Sequence, residues 1–123
     1  MNALIDTELL VAYLNGDAGA ARALQACAYR SITVLTWLEV MRRCPPDRRE
    51  ATRAFLRSFE RLSISESTAD EALRLSLEHG GLEPMDALNR ASAAVNHLDF
   101  VTRADGGGDD PPAAAGTSRS RRR

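Results

Sequence analysis

Asn2-Ala3-Leu4-Ile5-Asp6-Thr7-Glu8-Leu9-Leu10-Val11-Ala12-Tyr13-Leu14-Asn15-Gly16 opens the chain, and its reading decides the fold. Asn2 to Ile5 is a short apolar run that stops at an acid, too brief for a helix and right for a buried strand. Leu9, Leu10, Tyr13 and Leu14 then recur at helical spacing, and Asn15-Gly16 supplies the residues that end a helix. A strand running directly into a helix is half of a β-α-β unit, and the rest of the chain repeats the alternation. Ala18 to Tyr29 reads as an alanine-rich helix feeding a β-branched strand, Ile32-Thr33-Val34-Leu35. Thr36 and Glu39 have the spacing of a capping box and open a short helix that Pro45-Pro46 must end. Asp47 and Glu50 repeat the device for a helix with Ala51, Phe55, Phe59 and Leu62 on its apolar face. Leu62-Ser63-Ile64 follows as a weak third strand. Thr68 and Glu71 cap a helix running to His79 and closed by Gly80-Gly81. Pro84 starts the next helix, to about Asn96, and Leu98 to Thr102 is a fourth strand. The expected fold is α/β, with helices packed on a central parallel sheet of about four strands.

The chain has 123 residues, 44% of them apolar, which fits one soluble domain with a core of its own. Composition changes after Arg103. Gly106 to Gly108, Asp109-Asp110, Pro111-Pro112, an alanine run and a terminal Ser-Arg-Ser-Arg-Arg-Arg offer almost nothing to bury. Residues 1–103 are therefore expected to form the domain and residues 104–123 a disordered tail. All 16 basic residues are arginine. That excludes a phosphate-loop NTPase motif and Schiff-base chemistry, and it counts against phosphatases and receiver domains, which generally need a lysine. Cys27 and Cys44 are too few for a disulfide framework and too far apart for a zinc or redox motif, so they read as free thiols of a reducing compartment. No secretory signal is recognisable, and the apolar stretch Ile32 to Met41, broken by Glu39, falls far short of the ~20 residues of a membrane span. A cytoplasmic protein is expected.

Asp6, Glu39 and Asp86 occupy suggestive places, the first at the end of a strand and the others in early helical turns. Each alone has a plain explanation, because carboxylates near helix N-termini satisfy amides and the helix dipole, and a capping box accounts fully for Glu39. Asp6 is not needed to finish its strand. In open parallel sheets ligands bind beyond the carboxyl ends of the strands, where such acids would meet. Carboxylates about 4 Å apart repel by about 4 kcal/mol at an effective dielectric near 20, so a cluster of three needs protons or a cation. Oxygen ligands without a nearby His or Cys suit Mg²⁺ or Mn²⁺ rather than zinc. Such a metal prefers phosphate oxygens as outer ligands, which points to a phosphodiester or phosphoanhydride substrate attacked by metal-activated water.

Leu4-Ile5-Asp6-Thr7, Thr36-Trp37-Leu38-Glu39, Met85-Asp86-Ala87-Leu88 with the small-residue run Ala91 to Ala94, and Phe100-Val101-Thr102-Arg103 together resemble the successive motifs of PIN-domain ribonucleases, specifically the VapC toxins of bacterial toxin–antitoxin pairs. The resemblance covers about residues 1 to 105. It implies a PIN-like α/β/α sandwich, a Mg²⁺- or Mn²⁺-dependent endoribonuclease, a homodimer, and inhibition by a VapB-type antitoxin. It also implies that Asp6, Glu39 and Asp86 are the catalytic, metal-binding acids. The family's fourth acid follows the Thr-Arg motif, where Asp105 is preferred over Asp109 and Asp110. Two departures stand out: Glu8 occupies a place usually held by Asn or Ser, and the elements that commonly close the family's C-terminus have no counterpart. They motivate an alternative, a catalytically impaired PIN-like protein that still binds an antitoxin-like partner.

Net charge is −1, yet its distribution is uneven. Residues 22 to 61 hold nine arginines against four acids, whereas residues 62 to 103 hold three against seven. The basic half is the expected RNA face, with Arg49, Arg53 and Arg57 as contacts. With Arg61 they recur every fourth residue, which places them along one side of the helix beginning near Asp47. A solvated face partly neutralised by Glu50 and Glu60 is the plainer reading of the same pattern. His79 and His97 lack metal-ligand spacing, and Trp37 reads as a core or dimer contact rather than a base-stacking group.

Overall fold

The computed structural model describes residues 1–103, so the expected tail, residues 104–123, lies outside the described residues. The elements in chain order are β1 (Asn2–Ile5), α1 (Thr7–Leu14), α2 (Ala18–Gln25), β2 (Tyr29–Thr33), α3 (Val34–Arg43), a 3₁₀ turn (Pro46–Arg48), α4 (Arg49–Leu56), β3 (Glu60–Leu62), α5 (Glu66–Glu78), α6 (Pro84–Val95) and β4 (Asp99–Val101). The four strands form one sheet in the order β3-β2-β1-β4, every pair parallel. Leu4 lies level with Ser31 on one side and Phe100 on the other. Helices cover both faces, as an α/β/α sandwich requires.

Side-chain alternation sorts the two faces. Ala3, Ile5, Ile32 and Val101 join Leu9, Leu10, Leu24, Val40, Leu56 and Phe59 in the main core, against α1 to α4. Leu4, Ser31 and Thr33 alternate with those positions and turn the other way, where α6 packs. A smaller cluster of Ala72, Ala87 and Ala91, flanked by Leu75, Leu82 and Leu88, joins α5 to α6. The first helix ends as its sequence implies: Asn15 caps it, and Gly16 takes φ +91°, a left-handed conformation that glycine adopts without a Cβ clash.

Several boundaries differ from the sequence reading, and two of them share one cause. The capping boxes Thr36/Glu39 and Thr68/Glu71 do not start their helices. Thr33 accepts a hydrogen bond from the Thr36 N–H, and Ser65 accepts one from the Thr68 N–H, so each helix begins one turn earlier. As a result Val34 and Leu35 are helical, and the second strand is Tyr29–Thr33 instead of Ile32 to Leu35. The helix expected from Ala18 to Tyr29 stops at Gln25 to release that strand. The helix expected from Asp47 to about Leu62 is an isolated 3₁₀ turn followed by α4, which ends at Leu56, and Glu60–Leu62 is already strand.

Candidate active site

The carboxyl ends of β1 and β2 each run into a helix, so the N-termini of α1 and α3 open at the same edge of the sheet. Asp6 is the junction residue between β1 and α1, with extended backbone and its N–H bonded to the Val101 carbonyl at 3.0 Å. Its carboxyl is mostly buried. Burial pushes its pKa up to about 6, the nearby charge of Asp86 pushes in the same direction, and the Thr7 amide, Arg90 and Glu8 add smaller effects of either sign. Asp86, from the first turn of α6, thus shares the crevice with Asp6. It is held in turn by Arg90 one turn on, at 3.0 Å.

Glu39 is placed differently. Because α3 begins at Val34, Glu39 lies in its second turn, where Arg42 and Arg43 share its face. Arg42 Nη2 lies 3.0 Å from the Glu39 carboxylate and Arg43 Nη1 lies 3.7 Å from it. Arg43 also donates to both oxygens of Glu8, at 2.9 and 3.4 Å, which raises the guanidinium pKa. The explanation of Glu39 as a capping residue is therefore replaced by an ion-pair cluster at the rim of α3. Among the described residues no group of three Asp, Glu, His or Cys side chains is placed to hold a metal ion. The pair that the fold does bring together is Asp6 and Asp86. Asp105, the expected fourth acid, lies outside the described residues.

Beneath the acids runs a buried chain of hydrogen bonds that the sequence reading missed. Thr7 Oγ1 and Thr36 Oγ1 are 2.9 Å apart, Asn89 Nδ2 donates to Thr36 Oγ1 at 3.2 Å, and Thr33 Oγ1 donates to Asn89 Oδ1 at 2.5 Å. All four residues are buried. Thr7 follows Asp6 directly, Thr36 lies one turn before Glu39, and Asn89 lies one turn after Asp86. The network thus ties α1, α3 and α6 together just below the residues that carry charge, and the available signal was the three-residue offset of Thr36 from Glu39 and of Asn89 from Asp86, with Thr7 directly after Asp6. Beyond β4, Arg103 pairs with Asp17, the N-cap of α2, at 2.7 Å. A cleft of about 320 Å³ bounded by Glu8, Asn15, Asp17 and Arg103 opens there.

Asp6 and Asp86 suit a hard divalent cation. Mg²⁺ commonly takes only one or two carboxylates from a protein and leaves its remaining positions to water and phosphate oxygens. Asp6, raised by burial and by a like charge, is the kind of group that such a cation stabilises in its ionised form. The expected RNA contacts come from α4, an element that carries none of the acids Asp6, Glu39 and Asp86. Arg49 and Arg53 are on α4 and Arg57 caps its C-terminus, all exposed. The helical row ends there, because Arg61 belongs to β3.

Residues 3–107 match the family model of the PIN domain. A toxin–antitoxin complex from Klebsiella pneumoniae contains a chain 31% identical to this one, covering 88% of this chain and 92% of that one, with a TM-score of 0.79. Two further structures share the fold at lower identity. They are VapBC2 from Rickettsia felis bound to a promoter DNA fragment (19% identity, 83% and 86% coverage, TM-score 0.68) and FitAcB from Neisseria gonorrhoeae (17%, 85% and 88%, 0.70). No curated protein matches the chain. No helix among the described residues is long and apolar enough to cross a membrane.

Proposed function

The chain belongs to the PIN domain family, and on that premise we propose that it is a metal-dependent endoribonuclease acting as the toxin of a toxin–antitoxin pair. The observation that carries the proposal is the Asp6–Asp86 pair at the carboxyl edge of a parallel sheet, with the Asp6 pKa raised to about 6. Asp6 and Asp86 would hold Mg²⁺ or Mn²⁺. Asp105 and, on exchanging its arginine partners for the metal, Glu39 would complete the set. When bound, the ion supplies charge for the leaving oxygen and activates water for attack on the phosphodiester. The Thr7–Thr36–Asn89 network holds the acid-bearing helices in fixed relation, and Arg90 fixes the Asp86 carboxylate. Arg49, Arg53 and Arg57 would meet the RNA backbone. Likeness to the Klebsiella complex supports a VapB-type antitoxin as protein partner, and a homodimer belongs to the same proposal.

Purified chain incubated with RNA tests the proposal. Cleavage is expected with Mg²⁺ or Mn²⁺ and not with EDTA, and Asp6→Asn is expected to abolish it in a folded protein. Cleavage in EDTA by wild type would refute it. The impaired alternative is favoured by one observation, the double engagement of Glu39 by Arg42 and Arg43. Under that reading the antitoxin-like partner binds while RNA stays intact with either metal.

A further inference from the structure

Trp37 is the only tryptophan of the chain. It lies near the start of α3, half-buried and packed against the main core. Two guanidinium groups lie over its ring: Arg61 from β3, 4.7 Å from the ring centroid, and Arg53 from α4, 5.4 Å from it. The negative ring face attracts each of them, yet two cations gathered on one ring repel each other.

Five of the twelve described arginines pair with acids; Arg22, Arg30, Arg48, Arg49 and Arg57, like Arg53 and Arg61, are in none of these ion pairs, and what sets Arg53 and Arg61 apart is the single ring they share. Arg42 and Arg43 pair with Glu39 and Glu8, Arg74 with Glu71 and Glu78, Arg90 with Asp86, and Arg103 with Asp17. None of the ion pairs among the described residues includes Arg53 or Arg61, and both side chains are exposed. Their fixed forks of N–H donors therefore face solvent without an anion, held in place by the indole.

The position matters as much as the charge. Arg61 lies level with Ile32 of β2, one residue short of the strand's end, and β2 pairs directly with β1. Two strand spacings, roughly 10 Å, separate β3 from β1, whose end carries Asp6. The strand positions of Arg61 and Asp6 thus lie at the same carboxyl edge of the sheet, two strands apart.

We propose that Arg53, Arg61 and Trp37 form a grip for single-stranded RNA beside the scissile bond, the two guanidiniums taking backbone phosphates and the indole fixing their spacing. The proposal rests on the ribonuclease reading of the Asp6–Asp86 pair and adds a binding site outside it. With one aromatic ring already covered by arginines, the grip reads backbone rather than bases, so it is tolerant of sequence and sensitive to salt.

Trp37 is a built-in reporter. The full-length protein is titrated in EDTA with a short oligouridylate, following tryptophan emission, while the anisotropy of a fluorescein-labelled copy of the same oligonucleotide measures binding separately. Emission is expected to change in step with anisotropy. Arg53→Gln and Arg61→Gln, surface substitutions checked for folding by circular dichroism, are each expected to lower the slope of log affinity against log salt by about 0.7. RNA that binds with unchanged emission, and with wild-type slopes in both variants, overturns the grip and leaves the nuclease reading standing. A chain that neither binds nor cleaves RNA overturns both. An emission change produced by an acidic protein partner and not by RNA assigns the surface to that partner and equally overturns the grip.

Discussion

Asp6, one of the two acids proposed to hold the metal, also carries a cost in stability. The fold raises its pKa from 3.8 to about 6, so the folded chain binds a proton more tightly than the unfolded one. Its most favourable contribution to folding is present below pH 3.8 and is lost as pH rises through about 6. Replacing the carboxylate by a neutral amide removes that penalty. Asp6→Asn is expected to raise unfolding free energy at neutral pH by on the order of 2 kcal/mol and to give no gain near pH 4, read by urea unfolding at both pH values. Equal stability of the two proteins at neutral pH would contradict the buried, like-charge environment. Arg43 lies at the rim, in exposed contact with Glu8 and Glu39. Exposed pairs contribute about 0–1 kcal/mol, so Arg43→Gln should barely move the melting temperature. It should, however, tighten Mn²⁺ binding by freeing Glu8 and removing one of the two arginines on Glu39, which Arg42 still holds, and calorimetric titration measures that directly.

Helix α6 illustrates how one element can present a group only if something beneath it is locked. Asn89 bonds both Thr33 and Thr36 inside the protein, whereas the hydroxyls of Ser31 and Ser92 on the same buried side have no partner among the described residues. Asn89→Leu leaves two threonine hydroxyls short of a partner and should cost about 1–3 kcal/mol, together with a large loss of RNA cleavage as Asp86 shifts. Ser92→Ala in the same helix removes an unsatisfied hydroxyl and should leave stability unchanged or slightly raised. Thermal melts of the two variants side by side separate a specific network from general sensitivity of the helix. The same logic explains why α3 begins at Val34. Thr33 and Thr36 both have capping side chains, and local sequence ranks them about equally. Thr33 ends β2, level with Leu62 of β3 and bonded to Asn89, so its backbone is already extended and its oxygen already placed for the Thr36 amide.

At the scale of the whole molecule, the acid pair predicts a linkage between metal and folding. Mg²⁺ or Mn²⁺ should raise the melting temperature of wild-type protein and leave that of Asp6→Asn unmoved, because only the native state brings Asp6 and Asp86 together. Differential scanning calorimetry with and without EDTA measures the shift. The α/β class, the parallel sheet of four strands, β1, α1 and α6 were all legible in the sequence. Each depends on local features: an apolar run of strand length, a helical period, an Asn-Gly stop and a proline at a first helical turn. Asp6 was legible for the same reason, as an acid just past a strand that did not need it. Three things were decided only in the folded chain: which of two tandem threonines caps α3, which carboxylates are paired with arginines, and that Arg61 belongs to a strand over Trp37 and not to a helix beside Arg57. Periodicity and capping chemistry act within about a turn of chain and can be read from neighbours in sequence. Ion pairs, buried hydrogen bonds and ring contacts join residues up to 86 positions apart, as Arg103 and Asp17 do, and their selection depends on which surfaces the sheet brings face to face.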